Sequence, residues 1–442
     1  MPVKISLFIL LVVLTMQSSL IPQDAPQVSL LPRASEELIL AVADVQPVVS
    51  KSTELDGVAN VFNQVLWDDL TFAGSFTTAG RSFYPNKPII RPELDIDYDA
   101  WDAIPFKVSF LTVGNITPLQ GGMLRMELGV YDMRQRKLAF GRTYTGNINQ
   151  TRALAHRWAD EIVYQLTAGA SNGIASTKIA YVSQRGSAKE IFLMDYDGYN
   201  PSQFSNTGNL NFFPNWAPDN SKLTYVSYRP FPEIVIYSTI DGLRLPFPMF
   251  NTLASTPAIS PGGTEIAFSM RTASGNSNIH VSMLDGSQLR NLTKSAAMET
   301  SPAWSPSGRQ IAYISGEKQG QIFIRDVDGS NLRRMNKEGG DSDAVSWSPD
   351  GRWLAFHWKP RRSYNYDIFV ADAVSGVIRQ ITSGNGSNES PSWAPDSRHL
   401  AFQSNRSGRW QIYVMLLDRT DVRQITTQGN NTSPAWSGYY KN

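Results

Sequence analysis

The sequence contains no cysteine and has 4 histidines in 442 residues. The absence of cysteine excludes disulfide bonds, thiolate metal ligands and lipid attachment to an N-terminal cysteine. The histidines, by their positions, share no spacing that is typical of a metal site. They are His156, His280, His357 and His399. We therefore predict that the protein binds no metal and no cofactor.

The chain also has almost no excess of charge of either sign. Its formal net charge is +1, and 18% of its residues are charged. A nucleic-acid-binding protein would carry a strong basic patch, and an acidic tail would appear as a run of Asp and Glu. Neither pattern is indicated, so we predict no nucleic-acid partner. Recognition must depend on local patches of the surface.

The N-terminal apolar run, Ile5 to Leu14, follows one early cation, Lys4, and is too short to span a bilayer. It predicts a secretory signal peptide at residues 1–22, with cleavage between Ser18 and Ala25. A membrane anchor is the alternative. We expect an exported mature chain without a transmembrane span, because export without disulfides suits a large periplasmic protein with a well-developed core.

A repeat with a period of about 44 residues fills the C-terminal part of the chain. In each copy a short strand ends in Ala or Thr followed by an aromatic residue. The six copies are Ile179-Ala180-Tyr181, Leu223-Thr224-Tyr225, Ile266-Ala267-Phe268, Ile311-Ala312-Tyr313, Leu354-Ala355-Phe356 and Leu400-Ala401-Phe402. This period suits the four-stranded blade of a β-propeller. We predict a six-bladed β-propeller at residues 178–442.

A second motif, an aromatic residue or Ile before Ser or Ala, precedes most of these strands. It occurs at Trp216, Ile259, Trp304, Trp347, Trp393 and Trp436. Trp436 has no strand after it, and the strand at Ile179 has no motif before it. Both observations fit a strand exchange in which Pro434 to Ser437 supplies the inner strand of the first blade. Trp436 is then the structural residue that closes the propeller. The regular spacing of the motif also predicts that the tryptophans pack between neighbouring blades.

The residues before the repeat predict a small α/β domain at 33–168, after a polar tail at 23–32. Leu38 to Ala43 forms a buried strand, and a helix follows with a capping box at Thr53 and Asp56. Alternating strands are predicted at 106–110, 124–130 and 137–144, and a second helix at 151–166. Residues 169–177 are predicted to be a linker. The fold class is thus an α/β domain followed by an all-β propeller.

The turns within each blade differ at the two ends of the propeller. Strands 1 and 2, and strands 3 and 4, are joined by tight turns such as Pro349-Asp350-Gly351 and Asp328-Gly329. The connections from strand 2 to 3 and from strand 4 to 1 are longer and emerge at the other end. We expect the binding site at that second end, since binding residues usually lie in longer, irregular loops and not in tight turns.

Cations recur in the loops between strands 2 and 3. Those selected as candidate partner-binding residues are Arg185, Arg229, Arg271, Arg361, Arg362, Arg406 and Arg409. They predict a positive ring that suits an acidic partner surface, together with the aromatic residues Tyr228, Trp358, Tyr364, Tyr366 and Trp410. Polar residues before the inner strands complete the candidate set. They are Thr256, Glu299, Thr300, Asp343, Glu389 and Thr432.

Two motifs that suggest chemistry have simpler interpretations. Gly169-Ala170-Ser171-Asn172-Gly173 matches the nucleophile pattern of hydrolases, but a helix precedes it and a strand follows, which is the reverse of the required context. Asp195 and Asp197 resemble a calcium loop but lack its distal acidic ligand. We interpret these as a linker and a hairpin turn, and we predict no catalytic residues.

The Ser-Pro-Ala-Trp-Ser-Pro-Ser-Gly and Ile-Ala-Tyr repeats, the start Lys178-Ile179-Ala180-Tyr181-Val182-Ser183 and the helix with Ala155-His156 and Ala159-Asp160-Glu161-Ile162 together resemble the TolB family. These are periplasmic propeller proteins of the Tol-Pal system. The propeller motifs also occur in prolyl-oligopeptidase-type enzymes, so the order of domains and the absence of a hydrolase domain carry the resemblance.

The resemblance implies a monomeric, non-enzymatic adaptor, peripheral to the envelope membranes, that supports outer-membrane integrity and constriction at division. The propeller would bind the peptidoglycan-associated lipoprotein Pal, with Thr256 and Thr300 at matching positions, and the N-terminal region would bind TolA. Residues 23–33 match the TolA-binding segment of the family poorly. A lectin-like or peptidoglycan-binding propeller is the alternative, and a propeller hydrolase is a further one.

Overall fold

The computed structural model describes residues 38–48, 52–86, 89–228, 231–316, 319–336, 339–384, 386–419 and 421–440. The predicted signal peptide at 1–22, the predicted tail at 23–32 and Arg229 lie outside these residues. The described chain forms an N-terminal α/β region followed by six four-stranded blades around a central channel, of which the first two are joined into one eight-stranded sheet. This confirms the predicted fold class.

The N-terminal region contains a mixed sheet with strand order β3-β1-β4-β5-β6, and β2 pairs with β4. Its strands are β1 (Ile39–Val42), β2 (Gln46–Pro47), β3 (Thr77–Thr78), β4 (Phe110–Pro118), β5 (Met123–Asp132) and β6 (Lys137–Asn147). Strand β1 is parallel to β3 and β4, whereas β4, β5 and β6 form an antiparallel meander.

Two long helices and two short ones accompany this sheet. They are α1 (Thr53–Ala73), α2 (Pro92–Asp95), α3 (Tyr98–Asp102) and α4 (Thr151–Leu166), with 3₁₀ turns at Arg81–Phe83, Gln120–Gly122 and Ile148–Gln150. The apolar stripes predicted for α1 and α4 are confirmed, because their members line one buried core with strands β4 and β5. No helix in these described ranges is long and apolar enough to cross a bilayer.

Two details of the N-terminal prediction were wrong. The N-cap of α1 is Ser52, whose side chain accepts a hydrogen bond from the Leu55 backbone, so the predicted capping box at Thr53 does not form. The strand predicted at 106–110 is displaced, since β4 starts at Phe110 and runs to Pro118. Val108 is buried beside Trp101 in a second core on the other face of the sheet, which explains its apolar character.

Six blades follow, each made of four strands. Blade 1 contains β7 (Lys178–Arg185), β8 (Ala188–Asp195) and β9 (Ser202–Gln203); blade 2 contains β10 (Leu210–Trp216), β11 (Lys222–Tyr228), β12 (Pro232–Ser238) and β13 (Arg244–Leu245). Blade 3 contains β14 (Ala254–Ile259), β15 (Glu265–Arg271), β16 (Ser277–Met283) and β17 (Arg290–Asn291). Blade 4 contains β18 (Glu299–Trp304), β19 (Gln310–Ser315), β20 (Gln321–Asp326) and β21 (Arg333–Arg334). Blade 5 contains β22 (Gly340–Trp347), β23 (Trp353–Pro360), β24 (Asp367–Asp372) and β25 (Ile378–Gln380); blade 6 contains β26 (Asn388–Trp393), β27 (His399–Ser404), β28 (Gln411–Leu416) and β29 (Val422–Gln424).

The inner strand of blade 1 comes from the C-terminus. Strand β30 (Asn430–Trp436) pairs antiparallel with β7, with Trp436 opposite Ile179. The indole Nε1 of Trp436 donates to Thr177 Oγ1 at 2.8 Å, and Lys178 N donates to Ser437 Oγ at 2.9 Å. Residues at both ends of the propeller therefore share one sheet.

Three tryptophans of the second motif link neighbouring inner strands, whereas the indole of Trp347 donates to Gly351 O of its own blade. Trp216 Nε1 donates to Ala435 O at 3.1 Å, Trp304 Nε1 to Ala258 O at 3.0 Å and Trp393 Nε1 to Ser346 O at 3.2 Å. Each acceptor belongs to the preceding blade, and all three indoles are buried. A buried indole N–H needs such a partner, so these bonds fix the spacing between blades.

A second, polar contact also joins successive blades, and we call it the polar latch. In blade 6, Ile412 N donates to Thr426 Oγ1 at 2.8 Å, Thr426 Oγ1 donates to Gln411 Oε1 at 2.7 Å, and Asn431 of β30 donates to the same Gln411 oxygen at 2.9 Å. The latch thus ties strands 3 and 4 of one blade to the inner strand of the next. Equivalent bonds start at Ile191, Ile279, Ile322 and Ile368.

The N-terminal region docks on the end of the propeller that carries the tight turns. The last carbonyls of α1 point at blade 6, where Arg398 donates to Ala73 O at 3.1 Å and Gly74 O at 2.9 Å. His399 Nε2 donates to Phe72 O at 2.8 Å. Carbonyls at a helix C-terminus lack partners within the helix and carry partial negative charge, so cationic side chains satisfy them well. The other end of the channel faces away from these contacts.

We expect deletion of residues 434–442 to unfold the propeller cooperatively, because the deletion removes the last three residues of β30, including Trp436, and exposes the part of β7 that pairs with them. The full-length protein and the truncated protein should be compared by calorimetry and by circular dichroism during thermal melting. The deletion should abolish the main transition or lower its midpoint by more than about 10 °C, as expected for a loss of several kcal/mol. An unchanged melting temperature would contradict a stabilising role for this strand pair.

Candidate binding site at the channel mouth

The inner strands of the six blades surround a channel of about 930 Å³. Residues from β10, β14, β18, β22, β26 and β30 line it. The tight turns lie at one end, on the side of the N-terminal region. At the other end, which we call the mouth, the connections from strand 2 to 3 and from strand 4 to 1 emerge.

Each inner strand has a bulge where it lines the channel. The backbone there adopts a positive φ at Phe213 (56°), Thr256 (49°), Ser301 (53°), Ala344 (52°), Ser390 (53°) and Ser433 (51°). The register with the neighbouring strand shifts at the same six places. Non-glycine residues rarely adopt this conformation, and such strain tends to occur at binding sites. The bulge reorients the side chains of the inner strand toward the channel and its mouth.

One side of the channel wall is acidic. Asp341 and Asp343 of β22 and Glu389 of β26 line it, and no Lys or Arg is found among the described lining residues. Asp343 Oδ1 accepts hydrogen bonds from Ser301 Oγ at 2.8 Å and from Ala344 N at 2.7 Å. Asp341 Oδ2 accepts from Tyr366 OH at 2.6 Å.

His357 lies behind these carboxylates but does not neutralise them. Burial lowers its pKa to about 4, although Asp343 and Asp341 act in the opposite direction. Its Nδ1 accepts a hydrogen bond from Ser390 N at 3.2 Å, which also requires an unprotonated nitrogen. Burial raises the pKa of Glu389, and the neighbouring Asp343 adds to this effect. The wall therefore offers oxygen acceptors and negative charge at neutral pH, and it disfavours anions.

The polar residues chosen from the sequence are partly brought together here. Thr256, Thr300, Asp343 and Glu389 line the channel. They belong to inner strands, so their predicted position in loops was wrong. The bulges interrupt the alternation of inward and outward side chains by which a strand is recognised in a sequence. Glu299 instead is 2% exposed and lies within blade 4, and Thr432 is half-buried on β30 outside the lining of the channel.

The cations form a rim around the mouth rather than a lining of the channel. Arg361, Arg362 and Arg409 are exposed in the connections between strands 2 and 3, whereas Arg185 and Arg271, predicted in such loops, are exposed at the last positions of β7 and β15. Arg406 is half-buried, where its Nη2 donates to Asn388 Oδ1 at 2.7 Å and its Nε to Ser404 Oγ at 3.1 Å. Arg406 therefore supports blade 6. Whether the exposed arginines contact a partner stays a prediction.

The aromatic residues expected around the mouth are less available than predicted. Trp358 is 5% exposed and packs in the core between blades 4 and 5. Tyr366 uses its hydroxyl on Asp341, whereas Tyr364 is 98% exposed. The sequence could not distinguish them, because an aromatic residue at a strand end has the same pattern whether it faces the core or the solvent.

Sequence reasoning missed Asp341 and His357 as channel residues, and it predicted Tyr366 around the mouth and not in the channel lining. Asp341 lies two positions before Asp343 on the same strand, and alternation along a strand could have grouped the two. His357 and Tyr366 come from β23 and from the loop that follows it. Their approach to Asp341 depends on blade packing, for which the sequence carries no local signal.

A separate polar cluster joins the N-terminal region to blade 1. Asp69 of α1 accepts from Tyr196 OH at 2.6 Å, and its other oxygen lies 2.7 Å from His156 Nδ1. Asp197 lies 3.8 Å from His156 Nε2 and is paired with Arg152. The possible ligand atoms of Asp69, His156 and Asp197 lie within 4.8 Å of one another. Arg152 already supplies positive charge there, so we interpret the cluster as an ion-pair network between the two regions.

Comparison with protein families identifies the chain. The profile of the TolB amino-terminal domain matches residues 32–139, and that of the TolB beta propeller domain matches residues 164–363 and 336–441. The chain belongs to the TolB family. The family that the sequence resembles is thereby confirmed.

Relatives and solved structures agree with the family. The Tol-Pal system protein TolB of Desulfosudis oleivorans is 30% identical over 232 residues, or 52% of each chain. That of Bordetella pertussis is 30% identical over 261 residues, 58% of this chain and 57% of the relative. The chain thus matches about half the length of these relatives. The crystal structure of TolB from Acinetobacter baumannii covers 91% of this chain and 97% of its own at 22% identity, with a TM-score of 0.77, which shows a shared fold.

We expect Ala344→Gly to raise the free energy of unfolding by up to about 1 kcal/mol. Glycine adopts the positive φ at this bulge without the clash of a Cβ, and this gain exceeds the entropy that glycine loses on folding. Chemical denaturation measures the change. Ala303→Gly is the control, because Ala303 pairs regularly with Ala312 on β18 and β19 and should lose about 0.5–1 kcal/mol. Destabilisation by Ala344→Gly equal to that of the control would show that the bulge is unstrained.

We expect the cluster at His156 to stabilise the protein most at low pH. Burial alone would lower the pKa of His156, but the Asp69 carboxylate and its hydrogen bond outweigh burial and raise it above its ordinary value near 6.5. The charged groups facing it are Asp69 on α1, Arg152 on α4 and Asp197 on blade 1. Its stabilising contribution is therefore complete below about pH 6.5 and is lost as the pH rises through the raised value.

The melting temperatures of wild type and His156→Gln should accordingly differ most at about pH 5.5 and converge above the raised pKa. The difference between the two proteins isolates His156 from the other titrating groups. A constant difference between pH 5.5 and pH 9 would mean that the charge of His156 does not contribute.

Proposed function

We propose that the chain is a periplasmic protein–protein adaptor of the Tol-Pal system. It binds Pal at the mouth of the channel and TolA through the N-terminal region, and it supports outer-membrane integrity and envelope constriction at division. It acts as a monomer at the membrane periphery and performs no catalytic step. Membership of the TolB family and the name of its relatives, Tol-Pal system protein TolB, support this proposal.

The observation that carries the Pal part is the accessible mouth. The N-terminal region docks at the end with the tight turns, through Phe72, Ala73 and Gly74 on Arg398 and His399. The mouth at the opposite end therefore stays open to a partner. It combines exposed arginines on its rim with six strained bulges that direct polar side chains into the channel. Surfaces of this kind, with a rigid concave centre and a charged rim, suit a protein partner.

The TolA part rests on the family resemblance. The predicted tail at 23–32 lies outside the described residues, and its poor match to the TolA-binding segment of the family is a departure from the pattern. The described N-terminal region, with α1 and α4 packed on a mixed sheet, would act as the platform from which that tail extends.

The alternatives receive less support. A lectin-like mouth would need exposed aromatic faces for stacking on sugar rings, and Trp358 is buried while Tyr366 is engaged with Asp341. A hydrolase would need a nucleophile beside a base. Ser171 follows helix α4 in the linker, where its Oγ accepts a hydrogen bond from Gly173 N at 3.2 Å. The adaptor function therefore fits the geometry best.

Calorimetric titration of the mature protein with the periplasmic domain of Pal, at low and at high salt, tests the proposal. We expect tight binding that weakens with salt, because the rim arginines meet acidic side chains across the interface. Changing Arg361 and Arg362 to Glu should raise the dissociation constant about tenfold at low salt without lowering the melting temperature.

Arg309→Glu is the matched control, because Arg309 is exposed in a tight turn at the opposite end of the propeller. It should leave the affinity unchanged. No binding of Pal by the wild type at either salt concentration would refute the proposed function. Equal affinities of wild type and the double variant would refute the role of these two arginines.

A further inference from the structure

The mouth of the channel is not uniform, because most of its exposed apolar side chains lie on one side. Blades 2 to 4 present five of them at this end. They are Leu210 (40% exposed), Phe213 (39%), Phe231 (69%), Leu253 (41%) and Met298 (40%). We call this set the apolar arc. On blades 5, 6 and 1 the same end carries Arg361, Arg362, Arg409 and Arg185 together with Tyr364, and the arc side also has an exposed arginine of the rim, Arg271.

Backbone contacts fix the arc at the mouth. The carbonyl of Leu253 accepts from Arg271 N at 2.9 Å, which places Leu253 beside the mouth end of β15. The carbonyl of Met298 accepts from Gly316 N at 2.9 Å, beside the mouth end of β19, and Ser277 Oγ lies 4.0 Å from its sulfur. Met298 therefore spans the junction of blades 3 and 4. These positions follow from strand pairing and do not depend on side-chain rotamers.

Phe213 connects the arc to the channel itself. It occupies the bulge of β10 at a φ of 56° and lines the channel. Its ring lies 5.9 Å from that of Phe212, which in turn contacts Tyr228 edge-on at 5.7 Å. A large apolar residue held in a strained conformation at a channel mouth has no packing role that requires it to be exposed. The positive φ recurs in all six inner strands and belongs to the bulge, whereas the exposure of Phe213 is explained if a partner covers it.

The channel wall opposite the arc is acidic. Asp343 and Glu389 line the channel on blades 5 and 6, and no cation lies among the described lining residues. A segment entering the channel would therefore meet apolar side chains on one side and carboxylates on the other. An acidic segment would be repelled there, even though acidic groups are suited to the arginine rim outside.

We propose that the segment of the partner that enters the mouth is apolar and basic, so that it covers the apolar arc and directs a Lys or Arg toward Glu389 and Asp343. This inference rests on the proposed function, in which Pal is the partner. The interface then has two parts: an apolar and basic segment of the partner lies in the channel, and an acidic surface of the partner contacts the arginines on the rim. The acidic partner surface expected from the sequence corresponds to the second part alone.

The test is the affinity of variants for the periplasmic domain of Pal, measured by calorimetry with the full mature protein. Leu253→Ser combined with Met298→Ser should raise the dissociation constant at least about tenfold, because buried apolar anchors dominate interface energies. Phe231→Ser, at the most exposed position of the arc, should act in the same direction. Glu389→Gln should weaken binding several-fold and reduce its dependence on salt.

Val374→Ser combined with Val377→Ser is the matched control. These valines are 88% and 55% exposed beside the turn between strands 3 and 4 of blade 5, at the other end of the propeller. Melting temperatures identify any variant that is misfolded. If the double variant is misfolded, the affinity of Phe231→Ser alone tests the inference. Wild-type binding together with unchanged affinity of the arc variants would overturn this inference and leave the proposed function intact. Absence of wild-type binding would overturn both.

Discussion

The polar latch between successive blades is the interaction on which the rest of the structure depends. A four-stranded blade cannot bury both of its faces, so it is stable only against its neighbours. The latch joins strands 3 and 4 of one blade to the inner strand of the next, as Asp367 does by accepting from both Thr382 and Asn388 at 2.9 Å. The six inner strands are thereby held at a fixed spacing. The channel, its bulges and its mouth follow from that spacing.

Blade 2 is the exception, and the exception lies beside the apolar arc. In blade 2, Glu233 occupies the position that Gln411 has in blade 6 and Asp367 has in blade 5. Glu233 pairs with Arg244 at 2.8 Å. The chain that follows packs Phe247 and Phe250 against Phe268 of blade 3. Apolar packing thus replaces hydrogen bonding at this junction. The side of the mouth with the most apolar surface is also the side where the blades are joined by apolar contacts.

Much of the fold could be predicted from the sequence because its signals are local. The repeat period, the tight turns and the tryptophan motif each reflect a few neighbouring residues, and helices α1 and α4 follow from apolar periodicity. The candidate site could be predicted in part. Thr300 and Glu389 were found from their place just before the tryptophan motif, although they belong to the inner strands themselves. The bulges at Ala344 and Ser390 and the burial of Arg406 were not found, since they depend on register and packing between blades.

Pairing of β30 with β7 has a consequence for how the protein is made. Strand β7 is synthesised before the other blades, and its inner partner, residues 430–436, is among the last parts of the chain to appear. The ring cannot close until synthesis of all six blades is complete. Until then the inner edge of β7 has no partner, so the first blade of the propeller stays incomplete.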